Sequence, residues 1–188
     1  MRRQMRRQMP GFGHSWQPLV IAVALLGLAV AEHGVGRTGR PLSGVARAVD
    51  GDTIRLAGRR VRLVGIDAPE LAQTCTGPDG QEWRCGAAAR TEMAHLIANG
   101  TVGCSTSGDD VYGRPLADCH VGDVDLGRAM VVAGLAVADG NFTREEAAAR
   151  QARVGIWNGS FTRPAIWRRE HGETPPPNPF GHLLRWFR

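Results

Sequence analysis

The stretch 49–70, VDGDTIRLAGRRVRLVGIDAPE, constrains the fold more than any other part of the chain. Two strand-like runs, 54–56 and 61–66, flank Ala57-Gly58-Arg59, which supplies a turn. The second run delivers Arg62 to one face and stops at Asp67-Ala68-Pro69-Glu70, where Pro69 cannot continue a ladder. A hairpin of this kind brings Asp52 and Asp67 together from opposite ends of the stretch, with Glu70 just beyond. The expected result is a cluster of hard oxygen ligands beside a guanidinium, which suits Ca²⁺ or Mg²⁺ together with a phosphate. Taken alone, Asp-Gly-Asp is also common in turns, and a surface hairpin with solvated charges explains the stretch equally well.

The remainder of the argument comes from further along. Asp109-Asp110 leads into Tyr112-Gly113-Arg114, which offers a second arginine and the single tyrosine of the chain. Asp50-Gly51-Asp52-Thr53, the run 62–70, Tyr112-Gly113-Arg114 and Gly155-Ile156-Trp157 occur in the order found in the staphylococcal nuclease (thermonuclease) family, which the chain resembles from about Gly44 to Trp157. The resemblance implies that Asp52, Asp67 and the backbone carbonyl of Ala68 are ligands of Ca²⁺. It implies that Glu70 orients or deprotonates the attacking water, and that Arg62 and Arg114 clamp the phosphate, with Arg114 nearer the leaving oxygen. It gives Tyr112 a contact with the terminal phosphate or sugar. The family often has Thr where this chain has Ala68. It also places base-stacking aromatics in the stretch matching 138–142, where this chain offers only Phe142. Asp109 and Asp110 bring no cation to their loop and reduce its attraction for polyanions.

Charge adds little to this. The chain has 23 Lys+Arg, all of them Arg, against 18 acids. Arg2, Arg3, Arg6 and Arg7 lie in a basic leader, and without it 19 arginines face 18 acids, a net of +1. A claim of nucleic-acid binding therefore rests on where the arginines sit, not on how many there are. Behind the leader, residues 18–31 form a charge-free apolar run ending in Ala29-Val30-Ala31, the layout of a secretory signal. Residues 9–31 would also serve as an inner-membrane anchor. Either way the domain is expected outside the cytoplasm, periplasmic or secreted.

The expected organisation is a signal peptide or signal-anchor over 1–31, a flexible linker over 32–43, one domain over 44–171 and a Pro-rich basic tail over 172–188. Within the domain, strands are expected over 45–49, 54–56, 61–66, 101–106 and 116–121. Helices are expected over 86–98, after Asp125 through Ala133, and from a capping box at Thr143 to Glu146 through Arg153. Five strands and about three packed helices make an α+β, mainly β fold of the OB-barrel type, which the resemblance also implies.

Four cysteines allow three pairings, and export makes disulfides permissible. Cys75 and Cys85 flank one loop, while Cys104 and Cys119 fall on strands expected to be neighbours, so Cys75–Cys85 and Cys104–Cys119 are the expected bridges. The competing arrangement, a zinc site, lacks any CxxC pair.

The resemblance implies a monomeric, exported, Ca²⁺-dependent endonuclease indifferent to the sugar, cutting DNA and RNA to leave 3′-phosphate ends. The alternative is a non-catalytic OB-type module that binds nucleic acid or another polyanion at the cell envelope. The intact set of charged residues favours hydrolysis over that alternative.

Overall fold

The computed structural model describes residues 41–172. The leader, most of the linker and nearly all of the tail lie outside the described residues. Where the linker was expected to continue, Pro41 to Ser43 instead belong to a strand.

In chain order the strands are β1 (Pro41–Gly44), β2 (Ala46–Ala48), β3 (Thr53–Leu56), β4 (Arg59–Leu63), β5 (Ile66–Asp67), β6 (Cys75–Thr76), β7 (Glu82–Trp83), β8 (Val102–Asp109), β9 (Pro115–Val121), β10 (Val124–Asp125) and β11 (Val137–Ala138). The helices are α1 (Cys85–Ala98), α2 (Leu126–Val132), α3 (Thr143–Ala152) and α4 (Pro164–Glu170), with a 3₁₀ turn at Gly155–Asn158. The main sheet runs β1-β8-β9-β4-β3-β2, with β10 on β9. Its pairs are antiparallel except β4 with β9. Only Val45 separates β1 from β2, so one bent segment pairs with β8 through its first half and with β3 through its second. The ladder is not closed, but this segment joins its two edges, as an OB-type barrel requires.

Alternation explains which face is buried. Ile54 and Leu56 of β3 and Val61 and Leu63 of β4 point into the core against Ala89 and Met93 of α1, while Arg55 and Arg60 point out. The β3–β4 turn is the two-residue loop Ala57-Gly58, with φ of 48° and 78° and Leu56 opposite Arg59. Two positive φ values mark the hairpin turn whose twist matches the strands. Gly65, at φ 79°, then separates β4 from the short β5, so the expected run 61–66 is two strands.

Two helix expectations are revised. Asp125 caps α2 by accepting from the Arg128 amide at 3.0 Å, as expected. The capping box does not form, because Phe142 rather than Thr143 is the N-cap residue and Glu146 turns away to accept from the Ala138 amide and pair with Arg150. The added helix is α4, whose short apolar pattern gave no signal and whose start is set by Pro164 at the first position. Both expected disulfides are present, Cys75–Cys85 and Cys104–Cys119, the latter joining residues directly opposite in the β8–β9 ladder.

Candidate active site

The hairpin builds the floor of the site. Asp50 accepts from the amides of Asp52 and Thr53 at 3.0 and 2.7 Å, which folds Asp-Gly-Asp into a tight turn at the head of β3. Gly51 is required there, since a Cβ would lie 2.6 Å from the Ala68 Cβ and 2.7 Å from that of Ala89. In the β3–β4 register Thr53 faces Arg62. Arg62 thus reaches both aspartates, donating to Asp52 Oδ1 and to Asp67 Oδ1, each at 2.9 Å. Asp52 and Asp67 are buried, 3% and 5% exposed. β5 carries Asp67 and is held by β11, with Val137 opposite Asp67.

Burial pushes the Asp52 carboxyl up to about 7, against the pull of Arg62. Arg62 itself loses hydration on burial, but the two aspartates more than compensate and raise its proton affinity. Asp52 and Asp67 are oxygen donors of the kind that a hard divalent cation takes. That fit is partial. Among the described residues no three His, Cys, Asp or Glu side chains converge as a ready metal cluster. Asp52 and Asp67 provide two carboxylates, and Ala68 lines the cleft with its amide donating to Asp52 Oδ2 at 3.1 Å.

The third carboxylate is held by a residue that sequence reasoning missed. Arg168, on α4, donates to Glu70 Oε1 at 2.8 Å and to Asp67 Oδ1 and Oδ2 at 2.9 and 3.1 Å. Burial disfavours its charge, yet Asp67 and Glu70 outweigh that and raise its affinity for the proton. Glu70 is fixed from behind as well. Gln73, fully buried, accepts from the Glu70 amide at 3.2 Å and donates to the Thr162 carbonyl at 2.6 Å, while its own amide donates to the Glu70 carbonyl at 2.7 Å. Gly86 of α1 allows this approach, since a Cβ there would meet the Glu70 carbonyl oxygen at 1.7 Å.

The opposite lip is the loop before β9. Asp110 accepts from the amides of Tyr112 and Arg114, both at 2.9 Å, and from Arg114 Nε at 2.6 Å. Partial burial acts against its charge, but these hydrogen bonds hold Asp110 below the usual carboxylate range. Asp110, read from the sequence as a repulsive charge, is thus the scaffold of the loop. Tyr112 is 53% exposed, with the Arg114 guanidinium 5.4 Å from its ring centroid. Floor and lip enclose one cleft of about 910 Å³ lined by Asp52, Arg62, Glu70, Tyr112, Arg114 and Arg168, among others.

Phe142 is not part of it. With φ at 60°, its backbone turns the ring onto α2, where Gly127 would be 3.0 Å away through an added Cβ and the Arg128 guanidinium lies 5.6 Å from the ring centroid. The ring thus packs on α2, and Phe142 is not among the residues that line the cleft.

Residues 60–159 match the family model described as staphylococcal nuclease homologue. Relatives include the succinoglycan biosynthesis protein ExoI of Rhizobium meliloti, 34% identical over 71% of this chain and 73% of that protein. An uncharacterized endonuclease of Escherichia coli O157:H7 is 32% identical over 66% of this chain and 82% of its own. The micrococcal nuclease of Shigella flexneri is 33% identical over 66% and 79%.

Proposed function

The chain belongs to the staphylococcal nuclease family and is a nuclease, and we infer that it is a Ca²⁺-dependent endonuclease cutting DNA and RNA to leave 3′-phosphate ends. The observation that carries this reading is that Asp52, Arg62, Glu70 and Arg114 line one cleft, with the buried Asp67 joined to them through Arg62 and Arg168. A phosphodiester resists water because its negative charge repels a nucleophile and its alkoxide leaves poorly. Asp52, Asp67 and the Ala68 carbonyl would hold Ca²⁺, which when bound screens the phosphate charge and favours an aligned water.

The rest is done by side chains. Arg62 and Arg114 approach from floor and lip, and their planar forks match phosphate oxygens. Glu70 takes the proton of the attacking water, and its placement is set by Gln73 and Arg168. Tyr112, exposed at the rim, contacts the terminal phosphate or sugar. The two disulfides support an exported protein acting outside the cytoplasm. The anchoring segment proposed for 9–31 lies outside the described residues, and no helix among the described residues is long and apolar enough to cross a membrane.

The test is digestion of single-stranded DNA and RNA with calcium and with excess chelator, followed by end-group analysis. Calcium-dependent cleavage with 3′-phosphate ends is expected. Glu70→Ala and Arg114→Ala should each lower kcat by at least about a hundredfold while changing binding little. Full activity in chelator would refute the reading.

A further inference from the structure

A row of arginines leaves the cleft along the outer face of the sheet. In the paired ladders Arg47 of β2 stands opposite Arg55 of β3, and Arg55 stands opposite Arg60 of β4. All three are exposed. Like charges directly opposite one another destabilise a sheet. Here three occur side by side across three strands, about 10 Å in all at the usual strand spacing.

Among the described residues none of the three has an ion pair or hydrogen bond from its side chain. The neighbouring Arg59 does have a carboxylate in reach, Asp109 at 4.0 Å. No packing explains the row either, since the apolar residues of these strands face the other way.

The row is continuous with the site. One outward step along the β3–β4 ladder brings the chain from Arg55–Arg60 to Thr53–Arg62, and Arg62 grips both buried aspartates. Two outward residues on the same strand are about 7 Å apart. Arg60 itself lines the cleft together with Arg114. Arg62 pairs with Leu116 across the parallel β4–β9 ladder, and Arg60 and Arg114 each lie two residues upstream of that pair. A guanidinium series thus runs from Arg114 through Arg60 and Arg55 to Arg47.

We propose that Arg60, Arg55 and Arg47 form a track for the backbone phosphates of the nucleic-acid strand flanking the bond to be cut. The proposal rests on the nuclease reading for its choice of polyanion. The track binds charge and not sequence, because guanidinium groups on a sheet face reach phosphates and have no groove in which to read bases. It concentrates positive charge on one face of a chain whose residues after the leader are near neutral in sum.

The test uses Arg47→Gln/Arg55→Gln and Arg47→Lys/Arg55→Lys in the full chain. Neither residue lines the cleft. Binding of a fluorescent single-stranded oligonucleotide is followed by anisotropy in chelator across a range of salt. Cleavage with calcium is measured on the same oligonucleotide and on a dinucleotide.

Each arginine removed should flatten the slope of log K against log salt by about 0.7, so the Gln pair should lose about 1.4 and the Lys pair nothing. At physiological salt the KM of the Gln pair for the oligonucleotide should rise roughly tenfold, with kcat and dinucleotide hydrolysis unchanged. An unchanged slope and KM in the Gln pair overturn the track while leaving the nuclease intact. If the wild type cuts neither substrate but the slope still falls, the nuclease reading fails and the track stands. Binding of phosphatidylglycerol vesicles with no binding of the oligonucleotide overturns the track as well.

Discussion

Arg168 holds the two carboxylates that the proposed chemistry has to use. Its guanidinium engages both oxygens of Asp67 and one of Glu70, so it already offsets charge that a bound divalent cation would offset. A cation and a guanidinium that share one carboxylate compete, and each gains what the other loses. Arg168→Gln should therefore tighten calcium binding, by about tenfold for a difference of roughly 1.4 kcal/mol. The calcium-free protein should lose about 1–2 kcal/mol, since hydrogen bonds to charged groups go and solvent screens what remains. Titration calorimetry and melting curves in chelator and in calcium measure the two effects. Weaker calcium binding in the variant would show that Arg168 helps to build the metal site rather than competing for it. The same residue shows where the sequence stops being legible. Asp52, Arg62, Asp67 and Glu70 were readable because one hairpin and its register fix them. Arg168 lies 101 positions from Asp67, in a helix with no motif around it, and only tertiary packing brings it back. Phe142 shows the converse: its position in the chain suggested stacking on a base, and only the fold shows its ring beside Arg128 of α2.

Among the elements, the loop between β5 and β6 carries the most consequence for the site, and Gln73 is its clip. The side chain ties the Glu70 amide to the Thr162 carbonyl, so it couples the catalytic loop to the segment that starts α4. Gln73→Leu keeps nearly the same volume but leaves both backbone groups without their partner. Leaving buried polar groups unmet costs about 1–3 kcal/mol each, so a loss of roughly 2–6 kcal/mol is expected for the two. Because Glu70 and Arg168 lose their common tether, kcat should fall by more than the loss of folded protein explains. A denaturant titration beside steady-state kinetics on the folded fraction checks this, and kcat held at the wild-type value would mean that Arg168 positions Glu70 unaided. Little of this loop could be read in advance. Pro69 marked where the strand run stops, but a buried glutamine with partners on both sides has no local pattern. The strands were readable because alternation of Ile54, Leu56, Val61 and Leu63 with polar residues survives in the fold. The capping box at Thr143 was a false lead, since Glu146 found a stronger partner set in Ala138 and Arg150.

At the scale of the whole molecule, the two disulfides divide stability from activity. Their sequence separations are 10 and 15 residues, so loop closure alone assigns each a similar effect, about 3 kcal/mol. Their surroundings differ. Cys104–Cys119 crosses between facing residues of β8 and β9, which a long antiparallel ladder already aligns, and its sulfurs lie in the main core. Cys75–Cys85 belongs to a second, smaller cluster with Val137 and Ile156. It ties β6 to the first residue of α1, beside Gly86, which packs on the Glu70 carbonyl. Cys104→Ser/Cys119→Ser should therefore lower Tm while turnover per folded molecule at room temperature stays near the wild-type value. Cys75→Ser/Cys85→Ser should lower Tm by a comparable amount and also reduce turnover, because the backbone behind Glu70 and Gln73 loses its anchor. The comparison is internal: both variants remove one bond of the same kind, so a difference in turnover reports position and not stability. Equal turnover in the two variants, measured well below either Tm, would mean that Gln73 and α1 hold the catalytic loop without the bridge. The pairing itself was legible from four cysteines and a strand order. The division of labour between the bridges was not, because it depends on which cluster each one enters.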